Sequence, residues 1–230
     1  MKPVYTPWLF VLLVCTALVA FCYAYIDIPL ARFAHQHALR QYALFHWLQA
    51  LADGLLLLSP LALLTAGWRR YRGHATGLDR VATQAALSVL LVSLLKYPLK
   101  FAFGRYWPAT FQDHNPSLLH DNAYGFNPFH AGVAYSAFPS GHAAVAAAVA
   151  TVIWRTYPRY RVLAVLVWLA VSVGLLGAYY HFVGDILAGT LLGVVTASLV
   201  VRRSAQAPVT GPLEDRADAH PESPAPHSDR

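Results

Sequence analysis

Residues 181–201 read HFVGDILAGTLLGVVTASLVV: a histidine and an aspartate four positions apart, carried at the mouth of an apolar run that continues to Val201. The run, Phe182–Val201, approaches the ~20 residues a helix needs to cross a hydrocarbon core. On a helix, His181 and Asp185 share one face. The carboxylate then accepts a hydrogen bond from one ring nitrogen, fixes the tautomer and turns the other nitrogen toward a substrate. A polar contact between helices is the plainer reading of such a pair. An ionisable pair just inside a membrane helix is costly without a role, and that favours the functional reading.

Similar apolar runs recur upstream. The 230 residues are 57% hydrophobic and 12% charged, the latter about half the ~25% of a soluble domain. Six apolar segments stand out: Trp8–Ile26, Leu48–Trp68, Val81–Leu99, Phe138–Trp154, Val162–Tyr180 and Phe182–Val201. They predict an all-α, polytopic membrane bundle of six helices occupying residues 1–203. The fourth is short and rich in Ala and Val, so it is expected inside the bundle. The first has no small-x-small cleavage site after it and is expected to be a retained span. Cys15 and Cys22 lie seven apart within it, too far along one helix to bridge, and are read as small packing residues. Asp27 to His46 is polar and aromatic and is expected as an amphipathic helix at the outer interface. From Ser204 onward Ala, Pro, Asp, Glu and His dominate, which predicts a disordered cytoplasmic tail over 204–230.

The basic residues set the orientation. Arg69, Arg70, Arg72 and Arg80 lie between segments two and three, Arg155, Arg159 and Arg161 between four and five, and Arg202 and Arg203 after six. The positive-inside rule then places both termini in the cytoplasm. The 104–139 loop and His181 fall on the opposite face, in a bacterial inner membrane the periplasmic or exterior one.

A second histidine arrives on that same face. Pro139-Ser140-Gly141-His142 is a turn that opens a helix, with free backbone N–H groups beside an imidazole. Alone, it means only a helix start. With His181 and Asp185 downstream, it describes a place where an anion is held between two histidines. Ser140 offers a hydroxyl and an N–H, Gly141 allows close approach, and His142 is placed to protonate a leaving oxygen. Lys96 and Lys100 end the third segment, where a lysine also simply snorkels to the interface. The loop beyond holds Asp113, His114, Asn115, His120, Asp121, Asn122, Tyr124, Asn127 and His130. It reads either as a solvated loop or as a cap over a polar headgroup, and its spacing matches no familiar metal site.

These residues resemble the type 2 phosphatidic acid phosphatase (PAP2) superfamily, whose fold is shared with vanadium haloperoxidases. The family pattern is K-x6-RP, then PSGH, then R-x5-H-x3-D. The second part is complete at Pro139–His142; the third keeps His181 and Asp185; the first keeps Lys100 and Pro108. The two family arginines that hold phosphate oxygens are replaced, by Trp107 and Leu175. Arg105, two residues before the first position, is expected to supply part of the missing clamp. The resemblance, spanning about 80–200, implies a metal-independent membrane phosphatase. His181 would attack phosphorus, Asp185 would orient it, and Lys100, Ser140 and Gly141 would hold the equatorial oxygens. His142 would protonate the leaving alkoxide.

The expected partners are a lipid phosphate substrate and the membrane lipids, with no cofactor, no metal and no nucleic acid. No feature of the chain specifies an oligomeric state. Two rivals stay open: a phosphotransferase in which another lipid or sugar replaces water, and a non-catalytic lipid-binding membrane protein.

Overall fold

The structure is a computed structural model that describes residues 6–111 and 114–206. The described chain is all-helical in its regular elements. α1 (Thr6–Phe21) passes through a π-helical turn, Cys22–Ile26, directly into α2 (Asp27–Gln36). The expected interfacial helix is therefore an extension of the first span, and Trp8–Gln36 forms a single apolar column of 29 residues. The extra residue of a π turn rotates the face that follows it. Here that rotation precedes Asp27, whose carboxylate is buried. The column stops at a left-handed Ala38.

α3 (Ala43–Tyr71) begins earlier than the expected Leu48. α4 (Gly77–Phe103) starts with a capping box between Thr76 and Asp79, and stops at Gly104 in the left-handed conformation, φ 58°. A Cβ at Gly104 would lie 1.8 Å from the carbonyl oxygen of Asn127, so the outer loop folds back at a point only glycine permits. That loop contains α5 (Leu118–Asp121). α6 (Gly141–Thr156) opens one residue after Ser140, which caps it, and not at Phe138. α7 (Arg161–Gly177) ends before the expected Tyr180, and α8 (Val183–Gln206) closes the bundle. The first three residues assigned to the tail, 204–206, continue α8; 207–230 lie outside the described residues.

Five of the helical columns are long and apolar enough to cross a membrane. The sixth, α6, has 16 residues and sits at the centre, with Ala143 to Ala148 all buried. Small residues allow this. A Cβ at Gly189 of α8 would lie 2.3 Å from the carbonyl oxygen of Ser140, so the two site-bearing helices touch backbone to backbone where the site begins.

The ends of the bundle differ chemically. At one end Arg80 donates to the Ser204 carbonyl at 2.9 Å, Arg69 pairs with Asp79 at 3.0 Å, and Arg202 lies over the Trp8 ring at 5.7 Å. The start of α6 and the start of α8, with both histidines, lie at the other.

Candidate active site

A cavity of about 300 Å³ opens at that second end, and both His142 and His181 line it. Lys96 and Lys100 from α4, Gly141 from α6 and Asp53 from α3 complete its polar wall; Trp107, Phe111 and Tyr180 form the apolar one.

His181 sits in the turn between α7 and α8, and its side chain is 3% exposed. Its Nδ1 faces Asp185 Oδ2 at 3.4 Å, a long contact that leaves Nε2 as the nitrogen free of a carboxylate. The same Oδ2 accepts the Phe182 N–H at 2.9 Å. Burial pushes the imidazole down to about 4, with the Asp185 carboxylate opposing the shift and the Lys100 charge adding to it. The ring is thus neutral at physiological pH, with its lone pair available. In a spectrum of ¹⁵N-histidine-labelled protein, the signal lost in His181→Ala is expected to titrate near pH 4. A midpoint near the ordinary value for histidine, about 6.5, would contradict this burial-driven shift.

Asp185 is held from behind. Its Oδ1 accepts from Arg105 Nη1 at 2.6 Å, with neither side chain exposed. The other arm of that guanidinium, Nη2, reaches Asp27 Oδ2 at 2.6 Å and the Tyr124 hydroxyl at 3.1 Å. Asp27 Oδ1 in turn accepts the Gly184 N–H at 3.1 Å. Rings of Phe182 and Phe126 enclose the guanidinium, 4.5 and 4.9 Å from it. Burial alone would lower the Arg105 pKa, but the Asp185 and Asp27 carboxylates more than offset it and raise it. The expectation that Arg105 clamps the anion is therefore corrected. Its two donor arms are committed to buried carboxylates, and it is absent from the cavity wall.

The second histidine has a carboxylate of its own. His142 Nε2 lies 2.8 Å from Asp53 Oδ1. Ser140 accepts the Ala143 N–H at 3.3 Å as the helix cap, and its own N–H donates to the Asp185 carbonyl at 3.0 Å. That last bond ties the start of α6 to the start of α8. Ser140 is fully buried, so what this corner presents to the cavity is Gly141 and the open end of α6. Lys100 donates to the Ser136 carbonyl and lies over the Trp107 ring at 5.2 Å.

The arginine replacements have different fates. Trp107 borders the cavity, with its ring 5.2 Å from that of His181 and its Nε1 donating to the Val133 carbonyl at 2.6 Å. Leu175 is fully buried in the bundle core. Of the outer-loop residues expected as a headgroup cap, those described do not line the cavity. Tyr124 stacks on Tyr23 at 4.7 Å, His120 pairs with Asp121 at 3.0 Å, and Asn122 accepts from Arg32 at 3.4 Å. Asp113 lies outside the described residues. Among the described residues, no group of three or more His, Cys, Asp or Glu side chains is arranged to hold a metal ion.

Sequence reasoning missed Asp53 and Asp27 as site residues and left Lys96 undecided. The signal was present: a carboxylate inside an apolar segment calls for a partner.

The fold and this cavity define a membrane-spanning helical protein whose anion site is built from two His–Asp pairs and a lysine. The model of the PAP2 superfamily matches residues 81–207, and the chain belongs to that superfamily. It is 30% identical over 126 residues to a lipid A 1-phosphatase of Rhizobium etli, covering 54% of this chain and 50% of that one. A lipid A 1-phosphatase of Rhizobium johnstonii is 30% identical over 126 residues, covering 54% and 48%. The chain thus spans about half the length of these curated relatives. Among solved structures, the first transmembrane PAP2 type phosphatidylglycerolphosphate phosphatase from Bacillus subtilis is a remote likeness. It has 20% identity and a TM-score of 0.41 over 86% of this chain and 98% of that one.

Proposed function

We propose that this protein is a membrane lipid phosphatase that cleaves a phosphate monoester or diphosphate of an amphiphile at the non-cytoplasmic face, through a phosphohistidine on His181. One observation carries the reading: a buried neutral imidazole, backed by Asp185, shares a cavity with a second histidine and a lysine. His181 Nε2 attacks phosphorus in line with the bond to the lipid oxygen. Lys100 and the N–H groups at the start of α6 stabilise the equatorial oxygens, and Ser140 holds that helix end in place. His142 gives its proton to the departing oxygen as the P–O bond breaks. A water then attacks the phosphohistidine, its proton returns to His142, and inorganic phosphate leaves. Residues 1–203 form the catalytic domain, and 204–230 are a cytoplasmic tail.

The cavity opens at the end of the bundle remote from the gathered arginines, which supports a non-cytoplasmic site with both termini inside. The curated relatives make lipid A the first substrate to try. The purified protein is expected to release phosphate from at least one of lipid A, phosphatidate, phosphatidylglycerol phosphate and a polyprenyl diphosphate. Folded protein that releases none would sink the reading; transfer to an added lipid or sugar in place of release would convert it to a phosphotransferase. For the topology, Asn122→Cys in a background lacking Cys15 and Cys22 is expected to react with an impermeant reagent added outside. Labelling only from the cytoplasmic side would invert the orientation.

A further inference from the structure

Asp53 belongs to α3, outside the part of the chain that the family model matches. Its carboxylate is half-exposed, yet it points into the cavity that holds both histidines. Oδ1 lies 2.8 Å from His142 Nε2, and Oδ2 accepts from Gln49 Nε2, one turn earlier on α3, at 3.5 Å. The ammonium-bearing side chains of Lys96 and Lys100 line the same cavity. An uncompensated carboxylate beside a phosphate repels it, so its presence on this wall calls for a purpose. The bond to His142 supplies one.

We propose that Asp53 is a positioning residue for His142: it holds the Nε2–H, favours the imidazolium, and leaves Nδ1–H as the proton delivered to the leaving oxygen. This rests on the reading of His142 as the general acid. In the first half-reaction the His181 Nε2–P bond forms, the P–O bond breaks, and the Nδ1 proton moves to that oxygen. In the second, water adds to phosphorus, the P–N bond breaks, and the water proton returns to Nδ1. Asp53 keeps its charge throughout and neither gains nor loses a proton. The site then contains two His–Asp pairs with opposite tasks. Asp185 steadies a neutral ring that attacks, and Asp53 steadies a charged ring that donates.

The test exploits what an acid does. A lipid alkoxide leaves poorly without a proton, whereas a nitrophenolate leaves without one. Asp53→Asn preserves shape and removes the charge. kcat/KM, which reports the first half-reaction, is measured for an alkyl phosphate and for a nitrophenyl phosphate bearing the same alkyl chain. For the alkyl phosphate the loss is expected to be about 10²-fold, and for the nitrophenyl phosphate at least about tenfold smaller. Equal losses on the two substrates would reduce Asp53 to a structural or binding role and overturn the proposal. No loss, or a gain, would overturn it as well. His142→Ala is the reference. If it shows the leaving-group selectivity and Asp53→Asn does not, the acid stands and Asp53 alone fails. If His142→Ala shows none, the acid role of His142 fails and the role of Asp53 falls with it.

Discussion

Replacing His181 with alanine is expected to lower kcat by at least ~10³-fold while leaving the protein folded in the membrane. The ring is buried beside Trp107 and behind the cavity wall, so alanine removes the atom proposed to attack phosphorus and leaves a small void. Asp185 would keep its bonds from Arg105 and the Phe182 N–H, so no charge is stranded. Turnover and size-exclusion behaviour of the detergent-purified variant separate the two quantities. Near-normal turnover at saturating substrate would eliminate the phosphohistidine route, and trapping of ³²P on the parent protein but not on the variant would support it.

Arg105→Ala is expected to be the most destabilising single change, for a different reason. It leaves Asp27 and Asp185 buried without their shared counter-charge. Breaking a buried pair by removing one partner costs about 3–5 kcal/mol. For a chain of this size that corresponds to a fall of roughly 10 °C in Tm. Arg105→Lys keeps the charge but not the fork, and one ammonium cannot replace two guanidinium arms reaching opposite ways. Its loss should fall between parent and alanine, with turnover suffering more than stability because Asp185 loses its brace. Thermal unfolding in detergent reads the first quantity and steady-state kinetics the second. A Tm for Arg105→Ala indistinguishable from that of the parent would refute the role assigned to this arginine.

Much of this architecture was legible from apolar blocks alone. Segment length exposed the spans, and the Ala-rich composition of 143–148 placed α6 in the interior, because only small side chains let α8 approach as closely as Gly189 does. His181 and Asp185 were legible because four residues is one helical turn. What escaped depended on contacts between distant segments. Arg105 looked like a substitute ligand from its place two residues before Trp107. Its actual direction is fixed by Asp27, 78 positions upstream, and no local spacing encodes that. Asp53 was visible as a charge within a span, but its partner His142 lies 89 positions downstream. The aromatic character of the outer loop was read as a headgroup cap. Its rings instead turn inward around the guanidinium, where cation–π contact and exclusion of water strengthen the ion pairs.

The first column, Trp8–Gln36, is the least embedded of the five membrane-length helices, with only 6% of its apolar window buried. It nonetheless delivers Asp27, immediately after the π turn, to the back of the putative nucleophile's carboxylate. A loosely attached outer helix is thereby wired to the chemistry through one side chain. A truncation trimmed to residues 81–207 would retain both histidines and both lysines and still arrive with an arginine half-neutralised and an acid unescorted. The homologous segment and the working machine are different objects. The first is the region relatives share; the second includes two borrowed carboxylates, Asp27 and Asp53, through which otherwise similar chains are free to diverge.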